Sequence, residues 1–376
     1  YQTARDVFNE LKALQSEASS MGAPQALASS HHERFEKNIR PSSDTAVSTS
    51  TRKNEGFWVA VRPVTYSGDD ADVSALAEGL SEEIVTGLSR FSYLRVMTND
   101  TSGANARYVL EGSLRKAGTK MRLAVKLVDT TAGTHLWAEN YERSFSGDSL
   151  FDLQDELGSQ IASTVGDAHG VLPHTMSELL RGREPDELTP YEAVLRAFGQ
   201  GFRRTPEEHA TVRACLERAV ERSPRSADAW ALLALTYVDE QSHGYNQRPD
   251  SLGRALEAAQ RAVDSAPSNA LAHHALAWAM YFRKELGAFR TAADRSIALN
   301  PLNSPTLAGL GALLAYAGDW ERGCALVERA VELNPRHPGW YWFPLFYDAY
   351  RKGDYREAVA IAFKINLPKF FVTHEA

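Results

Sequence analysis

Two short polar stretches of this sequence have residue types that could bind a phosphate or a metal. Gly112–Lys120 combines two glycines with two lysines, as phosphate-binding loops do. Its glycine spacing is wrong, however, and no lysine directly precedes Thr119, so the stretch predicts a hairpin turn instead. His31-His32-Glu33 supplies metal-binding residue types, but it lacks the HExxH spacing that places two histidines on one helix face. A solvated linker is favoured there.

Adjacent histidines and an acidic cluster are the next candidates. His273 and His274 lie next to each other on a predicted helix, so they cannot face one ligand together. We expect one to pack and the other to line a groove. Asp152, Asp155 and Glu156 begin a predicted helix, where their charge favours the helix dipole. General acid–base catalysis is disfavoured there.

The two cysteines complete the search for chemistry. Cys215 and Cys324 lie too far apart in the sequence to form a disulfide framework or a metal site by themselves. Both fall among Ala and Leu on predicted helices, which favours buried structural thiols. The sequence therefore assigns no catalytic, cofactor-binding or metal-ligating residues, and we expect no cofactor.

Composition excludes several classes of function. The chain has 376 residues and a net charge of −7, from 41 Lys and Arg against 48 Asp and Glu. This acidic balance disfavours nucleic-acid and anionic-membrane binding, which need a clustered positive field. Apolar runs are too short for a transmembrane helix. Low cysteine usage and no signal-peptide pattern predict a cytoplasmic protein, and the absence of an initiator Met suggests a fragment.

The first 55 residues divide into a helix and a linker. Residues 1–15 place apolar side chains at helical spacing on one face, which predicts an amphipathic helix. Residues 16–55 are rich in Ser, Thr, Ala, Pro and Asn, which predicts a flexible linker.

Residues 57–170 predict a small α+β domain. Apolar residues from Val73 to Leu88 recur every three or four positions, and so do those from Leu150 to Val165, which indicates two helices. The predicted order is β-α-β-β-β-β-α, with both helices on one face of the sheet. Five runs are typical of strands: Phe57–Val64, Leu94–Met97, Arg107–Leu114, Met121–Val128 and His135–Tyr141.

Residues 189–376 are helical throughout and carry an internal repeat. Pro267, Pro301 and Pro335 are spaced by 34 residues, and each ends a similar phrase, such as Ala-Val-Glu-Leu-Asn-Pro. Pro224 closes an earlier copy 43 residues upstream of Pro267. A period of about 34 residues with a terminal proline is typical of tetratricopeptide (TPR) repeats, each a helix pair. The sequence therefore predicts an all-α TPR solenoid of about four to five repeats.

The first helices of such an array line a groove, and here they carry many aromatic residues. Aromatic side chains together with Arg are typical anchors for protein recognition, so we expect a protein or peptide partner. The alternative is that a following repeat buries them. Few groove positions are basic, which disfavours recognition of a free C-terminal carboxylate. The predicted partner-binding residues are His274, Trp278, Tyr281, Tyr316, Trp340, Phe343, Tyr347, Tyr350 and Arg351, with Asp239 and Phe282 also facing the groove.

Residues 57–170 resemble the TolB-like N-terminal α/β domain that bacterial signalling proteins carry upstream of TPR arrays. The resemblance covers nearly the whole domain and continues into the repeats. The stretches that carry it are Ala60–Pro63, Leu76–Ile84, Arg107–Arg115, Leu123–Asp129, Ala132–Arg143 and Phe151–Glu156.

Tyr1–Leu14 resembles the last helix of bacterial Ser/Thr kinases. This resemblance implies a kinase parent, while adenylate cyclases and winged-helix regulators with similar C-terminal regions remain alternatives. The leading hypothesis is a non-catalytic interaction and regulatory module of a multidomain signalling protein. The alternatives are the C-terminal part of a Ser/Thr kinase or adenylate cyclase, and a structural scaffold that self-associates.

Overall fold

The computed structural model describes residues 57–97, 106–146, 149–201 and 205–365. The predicted helix 1–15, the predicted linker 16–55 and the His31-His32-Glu33 stretch lie outside the described residues. Within them, a mixed sheet with two helices is followed by a chain of paired helices.

The sheet region has the strands β1 (Trp58–Val61), β2 (Thr65–Tyr66), β3 (Arg95–Met97), β4 (Tyr108–Ala117), β5 (Lys120–Asp129) and β6 (Thr134–Ser144). Their order in the sheet is β3-β1-β4-β5-β6. Strand β1 pairs in parallel with β3 and β4, whereas β4, β5 and β6 form an antiparallel meander. The order of elements agrees with the sequence, apart from the additional two-residue strand β2, which pairs with β4.

Alternation along β5 decides which sheet face is buried. Met121, Leu123 and Leu127 point into the core, while Arg122 lies exposed on the opposite face. The predicted hairpin turn is present, because β4 ends at Ala117 and β5 begins at Lys120. Gly118 supplies the positive φ of 60° that this short connection needs.

Helices α1 (Ala71–Ser89) and α2 (Leu150–Gly166) pack on the buried face. Asp70 is the N-cap of α1, and its side chain accepts hydrogen bonds from the backbone N–H groups of Asp72 and Val73. The two helices approach closely at Gly87, where an added Cβ would lie 2.7 Å from the Cβ of Ala162.

Helix α3 (Val171–Leu180) then leads into five pairs of helices. The second helices of the last three pairs begin at residues 286, 320 and 355, so the period seen in the sequence is the period of the helices. The pairs are α4 (Pro190–Ala197) with α5 (Pro206–Arg222), α6 (Ala227–Ser242) with α7 (Ser251–Ser265), α8 (Ala270–Phe282) with α9 (Leu286–Leu299), α10 (Ser304–Tyr316) with α11 (Trp320–Leu333), and α12 (Phe343–Arg351) with α13 (Tyr355–Ile365).

Short polar residues start the first helices of the three middle pairs. The side chains of Ser226, Asn269 and Asn303 accept a hydrogen bond from the backbone N–H three residues further on. Two glycines set the distance between α10 and α11. A Cβ added to Gly311 would lie 2.7 Å from the backbone oxygen of Gly323, so the two backbones are in contact there.

The sheet region and the helix pairs share one hydrophobic core. A single cluster of buried side chains extends from Val59 and Leu123 in the sheet through Leu172 in α3 to Leu233 and Tyr341 in the helical region. The described residues accordingly belong to one compact unit.

Candidate functional site

Asp167 is the polar centre of the contact between the sheet region and the helix pairs. It follows α2, is fully buried, and its Oδ2 accepts hydrogen bonds from Ser304 Oγ at 2.6 Å and Asn334 Nδ2 at 3.0 Å. Ser163 Oγ also donates to Oδ2, and the backbone N–H of His169 donates to Oδ1. Burial raises the pKa of Asp167 to about 6, against the effect of these four donors.

Ser304 extends this network to the last helix pairs. Its hydroxyl donates to Asp167, so the 3.1 Å contact with Tyr341 requires the phenol to donate to Ser304. Tyr341 is fully buried, and burial raises its pKa above its ordinary value.

Two further contacts join the region after α1 to the helix pairs. Asp228, in the first turn of α6, accepts hydrogen bonds from Ser92 Oγ at 2.6 Å and from Asn269 Nδ2 at 2.7 Å. Asn300 Nδ2 donates to the backbone oxygen of Arg90. The sheet region therefore contacts the array where the first helices begin.

A cleft of about 180 Å³ lies beside this contact. Its walls come from four places: the first helices α4, α6, α8 and α10, the segment after α2, Tyr93 before β3, and the connection between α6 and α7. Most of the lining is apolar, with Phe198, Leu232 and Leu271 contributing side chains.

His274 is the most deeply buried histidine in the cleft wall. It is 9% exposed, and its Nδ1 has no hydrogen-bond partner within the part of the chain that the structure describes. Burial lowers its pKa to about 4, so the imidazole is neutral near pH 7. Its neighbour His273 instead places Nε2 at 2.9 Å from the backbone oxygen of Pro267, outside the cleft.

The connection between α6 and α7 forms the rim of the cleft. Its Tyr245 stacks on His243 at a centroid distance of 5.3 Å, and His243 Nδ1 lies 3.3 Å from Asp239 Oδ1. Glu240 anchors this connection. Its fully buried carboxylate binds the guanidinium groups of Arg213 and Arg254 at 2.8 and 2.6 Å.

The other predicted residues of α8 do not line the cleft. Trp278 stacks on Phe282 at a centroid distance of 6.0 Å and covers Gly309, where an added Cβ would lie 3.2 Å from the indole ring. Tyr281 packs edge-on against Phe289 of α9. These three aromatic side chains therefore contribute to helix packing.

Three predicted residues, Tyr316, Tyr347 and Arg351, form with Trp320 an exposed surface on the last two helix pairs, which we name the tyrosine cluster (Tyr316, Trp320, Tyr347 and Arg351). Tyr316 and Tyr347 lie on successive first helices, are each 43% exposed, and meet edge-on at a centroid distance of 6.1 Å. Trp320 contacts Tyr316 edge-on, and the guanidinium of Arg351 lies 4.7 Å from the Trp320 ring centre.

The remaining predicted residues lie elsewhere. Trp340 belongs to a short 3₁₀ helix over residues 339–342, where it contacts Tyr341 and His169 at the boundary with the sheet region. Phe343 is half-buried at the start of α12, and Tyr350 stacks on Phe346 of the same helix. Of the nine predicted residues, only His274 lines the cleft, while Tyr316, Tyr347 and Arg351 belong to the tyrosine cluster and Trp340 lies at the contact with the sheet region. Trp278 and Tyr281 of α8 and Phe343 and Tyr350 of α12 belong to none of these three sites.

Sequence reasoning missed several residues of these sites. Trp320 had a detectable signal, since Gly318-Asp319-Trp320 is repeated as Gly353-Asp354-Tyr355. Tyr245 lies in the residues that lengthen one repeat, which also marks it. Asp167 had no signal, because its partners are separated from it by well over a hundred residues.

Cys215 and Cys324 are buried free thiols, as the sequence predicted, and burial raises the pKa of Cys324 to about 11. No group of three His, Cys, Asp or Glu side chains in the described ranges is arranged to hold a metal ion. Nor does any helix in those ranges have the length and apolar character to cross a membrane.

Comparison with known proteins gives one curated relative and several structural likenesses. No family model matches the chain. It is 30% identical over 246 residues to the "Putative adenylate cyclase 3" of Rhizobium meliloti (strain 1021), and the match covers 61% of this chain and 41% of the relative. The chain thus spans less than half the length of the curated relative that it matches.

The structural likenesses are distant. A thermophilic TPR protein of Thermus thermophilus is 18% identical, with 50% of this chain and 94% of that chain covered and a TM-score of 0.39. TolB from Acinetobacter baumannii is 14% identical, with 28% and 26% covered and a TM-score of 0.21. Both TM-scores are below 0.5. The helix pairs and the sheet are therefore described from the geometry of this chain alone.

Proposed function

We propose that this chain is a protein-interaction and regulatory module of a multidomain signalling protein, with a TolB-like sheet region and a TPR array. The paired helices with a period of about 34 residues support the array. The stretches that carry the TolB-like resemblance fall within residues 57–170, which contain the sheet and its two helices. We further propose that the module itself is non-catalytic and that its partner is a protein or peptide.

The tyrosine cluster is the observation that carries this proposal. Two tyrosines on successive first helices stay almost half exposed, although burying them would remove a large apolar area from water. Aromatic side chains beside an arginine are enriched where proteins bind other proteins. A partner that covers Tyr316 and Tyr347 would gain contact area without disturbing the cores of the helix pairs.

Partner capture by the full chain tests the proposal. We expect a protein from the source cell to be enriched by the wild type and lost at least tenfold with Tyr316→Ser plus Tyr347→Ser. The matched control is Phe151→Ser, which removes an aromatic side chain that is 77% exposed on α2. A partner that is retained by the double variant contradicts the assignment to this surface.

Light scattering separates the scaffold alternative. A purely structural scaffold self-associates through the same surface and enriches no other protein. The interaction module enriches a separate protein, and its mass in isolation does not depend on the two tyrosines.

A second candidate function is that this chain regulates an adenylate cyclase domain of the same protein. The named relative favours this parent over the Ser/Thr kinase that Tyr1–Leu14 suggested. Incubation of the present chain with Mg²⁺ and ATP should then give neither cyclic AMP nor protein phosphorylation. Cyclic AMP production by the natural-length protein should change when residues 57–365 are deleted, and an unchanged rate would count against this candidate.

A further inference from the structure

The cleft beside the sheet region is a separate feature from the exposed tyrosine cluster. Small-molecule sites are concave and mainly apolar, with a few polar groups that fix the orientation of the ligand. This cleft has that composition, and one of its polar groups lacks a hydrogen-bond partner within the described residues.

We propose that the cleft binds a single aromatic ring that bears a hydroxyl group, with the hydroxyl at His274. The ring belongs either to a free phenolic molecule or to a tyrosine side chain of a peptide, since both present the same chemistry. This site goes beyond the partner surface proposed above.

Size sets the first limit on the ligand. The cleft measures about 180 Å³. An apolar cavity of about 150 Å³ is large enough to bind benzene. One substituted ring therefore fills the cleft, and any larger ligand has to extend beyond its mouth.

The walls determine that the ligand is largely apolar. Phe198, Leu235, Leu271 and Pro305 line the cleft from four different elements, so a ring inserted between them is enclosed on several sides. Contact with such side chains removes apolar surface from water without any directional requirement.

His274 determines that the ligand carries a polar group. Its side chain is nine-tenths buried in the cleft wall, and its Nδ1 is closed off from solvent and has no partner within the described residues, so the part of the imidazole that a ligand can reach is the ring edge that lines the cleft. A largely buried imidazole without a hydrogen bond is unfavourable, so a ligand hydroxyl that bonds to it at this edge gains affinity. A phenol hydroxyl both donates and accepts, and it therefore satisfies either tautomer of the neutral ring.

The repeat that carries the extra residues supplies the rim. The connection from residue 243 to residue 250 replaces the short turn at 283–285 of the next pair, and it brings Tyr245 to the cleft. Its anchor, Glu240 between Arg213 and Arg254, holds the backbone in place. A lengthened and anchored turn at the mouth of a cleft helps to enclose a ligand. Packing of the helix pair alone does not require these extra residues.

Calorimetric titration of the full chain with p-cresol and toluene tests the site, because these two ligands differ by one hydroxyl group. We expect p-cresol to bind about tenfold more tightly, the ratio that one net hydrogen bond gives. In His274→Leu this preference should disappear, while toluene still binds. His273→Leu is the matched control and should retain the preference, since His273 lies outside the cleft.

A variant whose larger side chain fills the cleft gives a second, independent readout. Ala168 lines the cleft and Ala168→Leu should reduce the binding of both ligands at least tenfold.

N-acetyltyrosinamide then distinguishes the two possible sources of the ring. An affinity equal to that of p-cresol assigns the ring to a peptide, and much weaker binding assigns it to a free molecule. Failure of p-cresol to bind the wild type, or equal preference in His274→Leu, overturns the proposal. No partner protein is present in these titrations, so their outcome is separate from that of the capture experiment.

Discussion

His274 and Asp167 are two buried side chains whose pKa values move in opposite directions for the same physical reason. Removal from water penalises the charged form of each, so the pKa of the imidazole falls to about 4 and that of the carboxyl rises to about 6. Both groups therefore make the free energy of unfolding depend on pH, with opposite signs between pH 4 and pH 6.

For His274 the stability of the fold falls on acidification. The unfolded chain binds a proton near pH 6.5 while the folded chain stays neutral to about pH 4, so protons favour unfolding in this window. We expect the wild type to lose about 2 kcal/mol relative to His274→Leu between pH 7 and pH 5. Urea unfolding at both pH values measures this difference, and parallel loss in the two proteins would contradict a buried neutral imidazole.

For Asp167 the stability falls as the pH rises. Between pH 3.8 and about 6 the folded chain holds the proton more tightly than the unfolded chain, so folding is favoured below this window. Relative to Asp167→Asn, the wild type should lose up to about 3 kcal/mol of unfolding free energy between pH 4 and pH 7, as urea unfolding measures it. Equal loss in the wild type and in Asp167→Asn would contradict a buried carboxyl whose pKa is raised.

Contacts between individual distant residues are the part of the structure that the sequence predicted least completely. Adjacent histidines were expected to divide into one packed and one groove-lining side chain, and His274 does line the cleft. The role of Asp167 followed from no local pattern, because Ser304 and Asn334 reach it from distant repeats. Local spacing predicts which face a side chain takes, but not which distant segment covers that face.

At the scale of elements, the contact of α10 with α11 depends on the absence of two side chains. Gly311 and Gly323 let the helix backbones touch. The structure places Gly323 of α11 directly against Gly311 of α10. The repeat period in the sequence predicts that two helices pair here. It does not predict where they cross, because the crossing point depends on which turn of α11 meets α10.

Gly311→Ala should therefore destabilise the chain. The new methyl group would lie 2.7 Å from the backbone oxygen of Gly323, which cannot move without shifting the helix, so we expect a loss of about 2–3 kcal/mol. Gly287→Ala is the matched control on α9, where no atom lies within 4 Å of the added Cβ. There a helix-favouring methyl should raise stability by up to about 1 kcal/mol. Equal urea midpoints for the two variants would contradict the backbone contact.

The lengthened turn between α6 and α7 shows what a break in the period indicates. The interval of 43 residues between Pro224 and Pro267 revealed extra residues in this repeat. Their arrangement around Glu240 depends on Arg213 from α5 and Arg254 from α7, which no repeat pattern pairs. An insertion is thus visible in the sequence, while its anchoring needs the fold.

At the scale of the whole molecule, the sheet region and the array form one structure through the starts of the first helices. The asparagines of the repeated Asn-Pro phrases explain how. Asn300 and Asn334 each bind the backbone of their own turn through Oδ1, and each donates through Nδ2 to the sheet region. A residue that reads in the sequence as turn chemistry therefore also joins the two parts.

Removal of two donors at this boundary tests that view. Ser304→Ala plus Asn334→Ala leaves the buried carboxylate of Asp167 with only Ser163 and the His169 N–H as donors among the described residues. An underpaired buried charge is unfavourable, so we expect a loss of about 2–4 kcal/mol at pH 7.

Amide hydrogen exchange shows which segments lose stability in this double variant. Exchange should accelerate together at the end of α2 and at the start of α10, because the two surfaces separate, while α7 should keep its protection. Arg329→Ala, which removes one side of an exposed ion pair with Glu332, should leave all three segments unchanged. Faster exchange in α10 alone, with α2 still protected, would mean that the sheet region is held by its own core. The shared cluster of buried side chains from the strands to Tyr341 predicts the coupled response instead.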